Sequence, residues 1–273
     1  MIMSRVSDRL NRLSYSQTFV MSNKARDMKA AGIDVISLTL GEPDFDVPAN
    51  IKQAAFDAIN QNFSHYSPVP GFLELRKAIV NKLKRDNNLE YKPTQICVAN
   101  GAKQNIFNVL AALVNEGDEV ILPAPYWVSY DEMVKINGGV SVFIETNIDT
   151  EFKMTAEQLE AAITPKTKAV LYSSPCNPSG SYYTREELEK IANVMAKYPD
   201  VVIISDEIYE FINYDGEHVS IAEFPQVFNQ TAVINGMSKA FAITGWRIGY
   251  SACPEWLANT CDKLQGQVTN GAN

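Results

Sequence analysis

An α/β fold, with a mostly parallel sheet carrying helices on both faces, is the architecture this sequence predicts. Three observations lead there. Segments of helical and strand-like hydrophobic period alternate along most of the chain. The strand candidates are short apolar runs, the pattern of strands covered by helices. The 273 residues are 46% hydrophobic and 21% charged, a globular composition that excludes a disordered chain and leaves core size no constraint.

In chain order, the turn-rich cluster Gly41-Glu42-Pro43-Asp44 and Asp46-Val47-Pro48 reads as a joint between an amino-terminal arm and the main domain. Ala49 to Asn60 and Leu73 to Arg85 are predicted as amphipathic helices, followed by a strand at Gln95 to Ala99 and a helix from Lys103 to Val114. Further strands are expected at Glu119 to Leu122, Val140 to Ile144, Lys168 to Tyr172, Val201 to Ser205 and Ala232 to Asn235. Helical patterns at Trp127 to Ile136, Thr155 to Ile163 and Arg185 to Lys197 lie between most of them. A last helix, Glu255 to Leu264, precedes a polar tail and is expected to leave an apolar face without a partner.

Several classes of function are disfavoured. Lys plus Arg number 24 against 32 Asp plus Glu, a net charge of −8, which argues against a nucleic-acid partner held by counterion release. Four dispersed cysteines and two histidines assemble no plausible zinc set, so no metal is expected and the thiols read as reduced. No apolar run reaches the length of a membrane span, and Met1 to Ser16 lacks the continuous apolar core of a signal peptide. A soluble, cytoplasmic protein without a membrane partner is the expectation. His65 and His218 receive no role, being read as isolated exposed histidines.

In open α/β sheets ligands bind beyond the carboxyl ends of the strands. There the sequence places Ser173-Ser174-Pro175-Cys176-Asn177-Pro178-Ser179-Gly180, Ser205-Asp206-Glu207-Ile208-Tyr209 and Gly236-Met237-Ser238-Lys239. An amide, a carboxylate with a phenol, and an amine thus converge on one edge. Neither a G-x-G-x-x-G after a strand nor a G-x-x-x-x-G-K-[ST] loop is present. Asn100-Gly101-Ala102-Lys103-Gln104 instead forms a turn ahead of a helix, where free N–H groups and the helix dipole favour a phosphate.

These strings, with Gly41-Glu42-Pro43-Asp44-Phe45, Tyr126-Trp127 and Ser238-Lys239 followed by Thr244-Gly245-Trp246-Arg247-Ile248-Gly249-Tyr250, resemble class I aminotransferases of fold type I, the aspartate aminotransferase group that uses pyridoxal 5′-phosphate. The resemblance runs from about Leu38 to the last residue. It implies residues 1–45 as an arm and part of a small domain, and 46–273 as the large cofactor-binding domain, with the small domain incomplete. Family members continue beyond this point, and that part supplies an arginine for the substrate α-carboxylate. The 273 residues alone are therefore expected to bind cofactor poorly and transaminate little.

By the same resemblance Lys239 forms the Schiff base and serves as general base, Asp206 faces the pyridine nitrogen, and Tyr209 and Asn177 hydrogen-bond the ring hydroxyl oxygen. Arg247 pairs with the phosphate, joined by Gly101, Ala102 and Lys103; Trp127 stacks on the ring, and Tyr66 reaches the phosphate bound by the other subunit of a homodimer. Gly41, Trp127 and Asn177 meet the substrate. Each has a plainer reading in isolation: Lys239 as a surface lysine, Asp206 as a turn cap, Trp127 and Tyr209 as core aromatics, Tyr66 and Gly41 as loop residues. The implied activity moves an amino group between aspartate and 2-oxoglutarate by a ping-pong route. The alternatives are a lyase or decarboxylase of the same fold, and a cofactor-binding module without turnover.

Overall fold

The computed structural model describes residues 5–214 and 216–272; residues 1–4 of the expected arm, and Asn273, lie outside the described residues. Its strands are β1 (Ile96–Ala99), β2 (Glu119–Ala124), β3 (Val140–Glu145), β4 (Thr167–Ser173), β5 (Val202–Asp206), β6 (Thr231–Gly236) and β7 (Gly249–Ala252). They form one sheet in the order β1-β7-β6-β5-β4-β2-β3. The pairs from β3 through β6 are parallel, while β7 runs antiparallel to both β1 and β6. β4, β5 and β6 are almost wholly buried, as strands roofed on both faces must be.

The helices are α1 (Asp8–Asn11), α2 (Gln17–Ala30), α3 (Ala49–Asn60), α4 (Leu73–Asn87), α5 (Ala102–Leu113), α6 (Ser129–Ile136), α7 (Ala156–Ala162), α8 (Arg185–Met195) and α9 (Glu255–Val268). Side chains of β5 alternate between two cores. Val202 and Ile204 face a core shared with α5, α6 and α9, whereas Ile203 faces one shared with α7 and α8. On α8 the buried Leu188, Ile191, Ala192 and Met195 follow helical spacing, and a reciprocal cap starts the helix: Thr184 Oγ1 accepts from Glu187 N–H (3.3 Å) and Glu187 Oε2 accepts from Thr184 N–H (2.8 Å).

The predicted strands and helices are present with small shifts at their ends. β7, α1 and α2 are additions. The β7 string Gly-Tyr-Ser-Ala is too short and too weakly apolar to stand out, and it is a strand because both its edges are paired. α2 buries only Ala25, so no apolar stripe marks it.

The expectation for the last helix is corrected. Leu257, Ala258, Cys261 and Gln265 of α9 are buried within the chain, with the three apolar residues in the core shared by α5. Gln265 Nε2 donates to Val69 O (2.7 Å) and Val98 O (2.9 Å), and its Oε1 accepts from Asn108 Nδ2 (2.9 Å). The tail beyond is seated as well: Ser67 Oγ donates to Ala272 O (3.1 Å). A polar residue at the helix's inner edge hid this packing from a purely hydrophobic reading.

Candidate active site

Strand register brings the site together. Ser173 pairs with Asp206 across β4 and β5, Asp206 with Ile234 across β5 and β6, Gly236 with Gly249, and Gly249 with Ala99. The carboxyl ends of the parallel strands therefore lie level, and the loops that follow them share one edge.

Asp206 closes β5 on the face of Val202 and Ile204 and is buried. Its Oδ2 accepts from Tyr130 Oη at 2.6 Å and its Oδ1 from Ile208 N–H at 3.2 Å. Burial pushes the carboxyl up to about 6; the Tyr130 and Ile208 donors oppose the rise, and neighbouring Glu207 adds to it. Tyr209 is half-buried and hydrogen-bonded to the Asn177 side chain. Burial, then the Asp206 charge, raise its phenol above the ordinary value, and the Asn177 bond opposes them.

Lys239 follows β6 with its Nζ 5.8 Å from the centre of the Tyr209 ring. The amine donates to Gly41 O at 2.5 Å. Burial depresses its pKa; Glu42 opposes that and Arg247 reinforces it. Thr244 Oγ1 donates to Glu42 Oε1 at 2.6 Å, so the Gly41-Glu42 segment is tied to the site at two points.

Arg247, in the left-handed region at φ 60°, donates from Nη1 to Thr244 O (3.0 Å) and from Nη2 to Asn100 O (3.3 Å). Its guanidinium lies where a Cβ on Gly101 would sit, and Gly101 has φ +84°. A Cβ on Gly249 would strike the backbone of Gly101 and Ala102. Glycine at both places lets the arginine and the first turn of α5 meet, a cation beside N–H groups that have no intrahelical partner.

Lys103 lies 4.6 Å over the Trp127 ring, and burial followed by Arg247 lowers its pKa. Trp127 sits just before α6 rather than inside the predicted helix, edge-on to Tyr130 (5.5 Å, 87°). Tyr66 is 94% exposed on the loop after α3 and makes none of the site's contacts. Thus Lys239, Asp206, Tyr209, Asn177, Arg247, Gly101, Ala102 and Gly41 share one edge, with Lys103 and Trp127 beside them.

Tyr130 was not among the expected site residues, although it lies three residues beyond Trp127 and so points to the same side of the helix start. Nor is His218 an isolated exposed residue: its side chain is 9% exposed and its Nε2 lies 3.0 Å from Glu207 Oε2.

Such a sheet, with a lysine, a buried carboxylate and a cationic helix terminus at its carboxyl edge, defines an α/β enzyme built to hold an anionic ligand at that edge. Comparison with known proteins sharpens the class. The family profile "Aminotransferase class I and II" matches residues 33–270. A probable aspartate/prephenate aminotransferase of Rhizobium leguminosarum bv. phaseoli is 49% identical over 99% of this chain and 68% of its own length. An aspartate aminotransferase of Bacillus sp. (strain YM-2) is 50% identical over 97% of this chain and 68% of its own. Among solved structures, aspartate aminotransferase from Thermus thermophilus with maleate superposes with a TM-score of 0.96 at 40% identity, covering 99% of this chain and 70% of that one. The chain belongs to the class I and II aminotransferases, and its sheet and helices are those of the fold-type I enzymes.

Proposed function

We propose that this chain carries the cofactor site of a pyridoxal-phosphate-dependent aminotransferase that takes aspartate as amino donor and 2-oxoglutarate as acceptor in a ping-pong cycle. The observation that carries it is the meeting of Lys239, Asp206 and the Asn177–Tyr209 pair at one sheet edge with Arg247 and the α5 amino terminus. This donor set fits pyridoxal 5′-phosphate. The cradle that a Cβ on Gly101 would fill suits a phosphate between Arg247 and the N–H groups of Ala102 and Lys103. When bound, the cofactor supplies an aldehyde carbon and a protonated ring that withdraws electrons from the substrate Cα.

Each residue's part follows from its surroundings. The lowered pKa of Lys239 favours its neutral amine, the form that would hold the cofactor's aldehyde carbon, and the same Nζ would accept the proton from the substrate Cα. Asp206 would hold a proton on the ring nitrogen, and facing that cation its carboxyl would be drawn back down from its raised value. Tyr209 and Asn177 would donate to the ring oxygen. Trp127 would cover one ring face, and Gly41 would offer its backbone N–H to the substrate carboxylate. Aspartate is proposed because the similar proteins are named for it. We assign residues 1–45 to the arm and part of a small domain, residues 46–273 to the large domain, Tyr66 to the second subunit of a homodimer, and the protein to the cytoplasm.

The test offers the purified protein, with pyridoxal phosphate, a panel of amino acids and then 2-oxoglutarate. Release of the 2-oxo acid of aspartate ahead of those of the other amino acids, followed by glutamate formation, is expected, at the low extent anticipated for these 273 residues alone. Carbon dioxide or an elimination product would favour a decarboxylase or lyase, and cofactor binding without any product a binding module.

A further inference from the structure

On the opposite face of β5 lies a buried ionic cluster that none of these roles uses. Glu207 is 1% exposed. Its Oε1 accepts from Ser205 Oγ (2.9 Å) and Ser220 Oγ (2.7 Å), and its Oε2 faces His218 Nε2 at 3.0 Å. Three residues on, buried Glu210 pairs with Lys82 Nζ, and its Oε2 accepts from Asn87 Nδ2 (3.0 Å); Lys82 also donates to Asn87 Oδ1 (2.7 Å). The oxygens of Glu207 and Glu210 and the His218 nitrogen come within 4.8 Å of one another, close enough for a metal ion. The Lys82 ammonium already neutralises Glu210, and Glu207 is filled by three donors, so the cluster calls for no metal.

Asp206 and Tyr209 belong to the turn that these two carboxylates anchor. Glu207 N–H donates to Ile234 O (2.8 Å) and Glu210 N–H to Glu207 O (3.0 Å), so the backbone is held as well. Glu207 ties the turn to the loop bearing His218 and Ser220, and Glu210 ties it to α4. We propose that the Glu207–His218 pair is a positioning device, which fixes from the far face of the sheet the turn that aims Asp206 and Tyr209 into the site. The proposal rests on the cofactor reading above. Its physical ground is that adjacent residues share a peptide plane, so a pinned Glu207 restrains the backbone of Asp206 at the end of β5, and a shift of about 1 Å at a reacting site costs roughly a hundredfold.

Charge balance supports an ionised pair. Glu207, Glu210 and Lys82 face His218, and two carboxylates with one ammonium leave a buried negative charge unless the imidazole is protonated. Burial works to lower the His218 pKa, but Glu207 and Glu210 outweigh it together with the opposing Lys82 charge, and the net shift is upward.

The experiment follows the visible absorbance of pyridoxal phosphate bound to the protein across pH, a readout of the hydrogen bonds to its ring oxygen. His218→Leu should move the midpoint upward by about one pH unit, the scale of a lost charge-assisted bond, while His218→Gln, which keeps a donor toward Glu207, should stay near wild type. In a Tyr209→Phe background the His218→Leu shift should shrink to a minor part, because the ring-oxygen hydrogen bond it reports runs through Tyr209. An unmoved midpoint in His218→Leu, or the same shift with and without Tyr209, overturns the proposal. If Tyr209→Phe alone moves nothing, the cofactor reading itself fails. As a second measure, the His218 imidazole followed by NMR should titrate above an ordinary histidine and fall to or below the ordinary range in Glu207→Gln, because burial then acts unopposed by Glu207; no change on that substitution also overturns the pair.

Discussion

Tyr130→Phe deletes one oxygen, and its effect on Asp206 can be worked from the structure. The phenol is buried and donates to Oδ2 at 2.6 Å, a bond to a charged acceptor worth about 1.5–3 kcal/mol. Divided by about 1.4 kcal/mol per pH unit, its loss should raise the carboxyl by roughly one to two units. From about 6 in the wild-type protein, the titration then moves to near or above neutrality. An acid whose folded pKa is raised binds more protons folded than unfolded, so its contribution makes stability fall as pH rises from the unfolded value toward the folded one. In the wild type that window runs from 3.8 to about 6. In Tyr130→Phe it extends upward, so the penalty of the substitution should be small in acid and grow by about 1.5–3 kcal/mol above the wild-type pKa. Urea unfolding of the two cofactor-free proteins at matched pH measures the difference directly. The buried Tyr183, whose Oη accepts from Met154 N–H and makes no bond to Asp206, provides a Phe control with a pH-independent penalty. A Tyr130→Phe penalty that is flat with pH would refute the reasoning.

Gly101→Ala places a Cβ at a positive φ and against the Arg247 guanidinium, so it should cost on the order of 1–3 kcal/mol in denaturant and weaken pyridoxal phosphate binding; an unchanged urea midpoint contradicts the geometry. Gln265→Ala strands two backbone carbonyls and the Asn108 amide, and should lose roughly 2–4 kcal/mol by the same assay, a loss under about 1 kcal/mol showing that the tail of α9 is loosely held. Asp206→Asn should retain cofactor yet slow proton transfer from Cα far more than it weakens binding, since the phosphate contacts are elsewhere; equal losses in affinity and half-reaction rate would remove Asp206 from the ring nitrogen.

The strands were legible because β4, β5 and β6 are buried on both faces, which forces uninterrupted apolar runs. The chemistry was legible for a related reason: Asn177, Asp206 with Tyr209, and Lys239 each follow such a run, and the parallel register levels the ends. What escaped depends on partners distant in sequence. Nothing local marks Tyr130 as the donor to Asp206, 76 residues away. His218 looked isolated because its partner Glu207 stands 11 residues earlier, within a string already read as part of the site edge. Gln265 is polar yet fully buried, a case that hydrophobic patterning ranks as surface. β7 and α2 lack the periodic apolar stripe on which such patterning depends.

The central claim is that Lys239 holds the cofactor. Borohydride reduction of the protein incubated with pyridoxal phosphate, followed by peptide mapping, tests it most directly. The label should fall on the peptide containing Ser238-Lys239, and Lys239→Ala should abolish it at that site. A label on Lys103, which lies against Trp127, or on any other lysine would contradict the assignment.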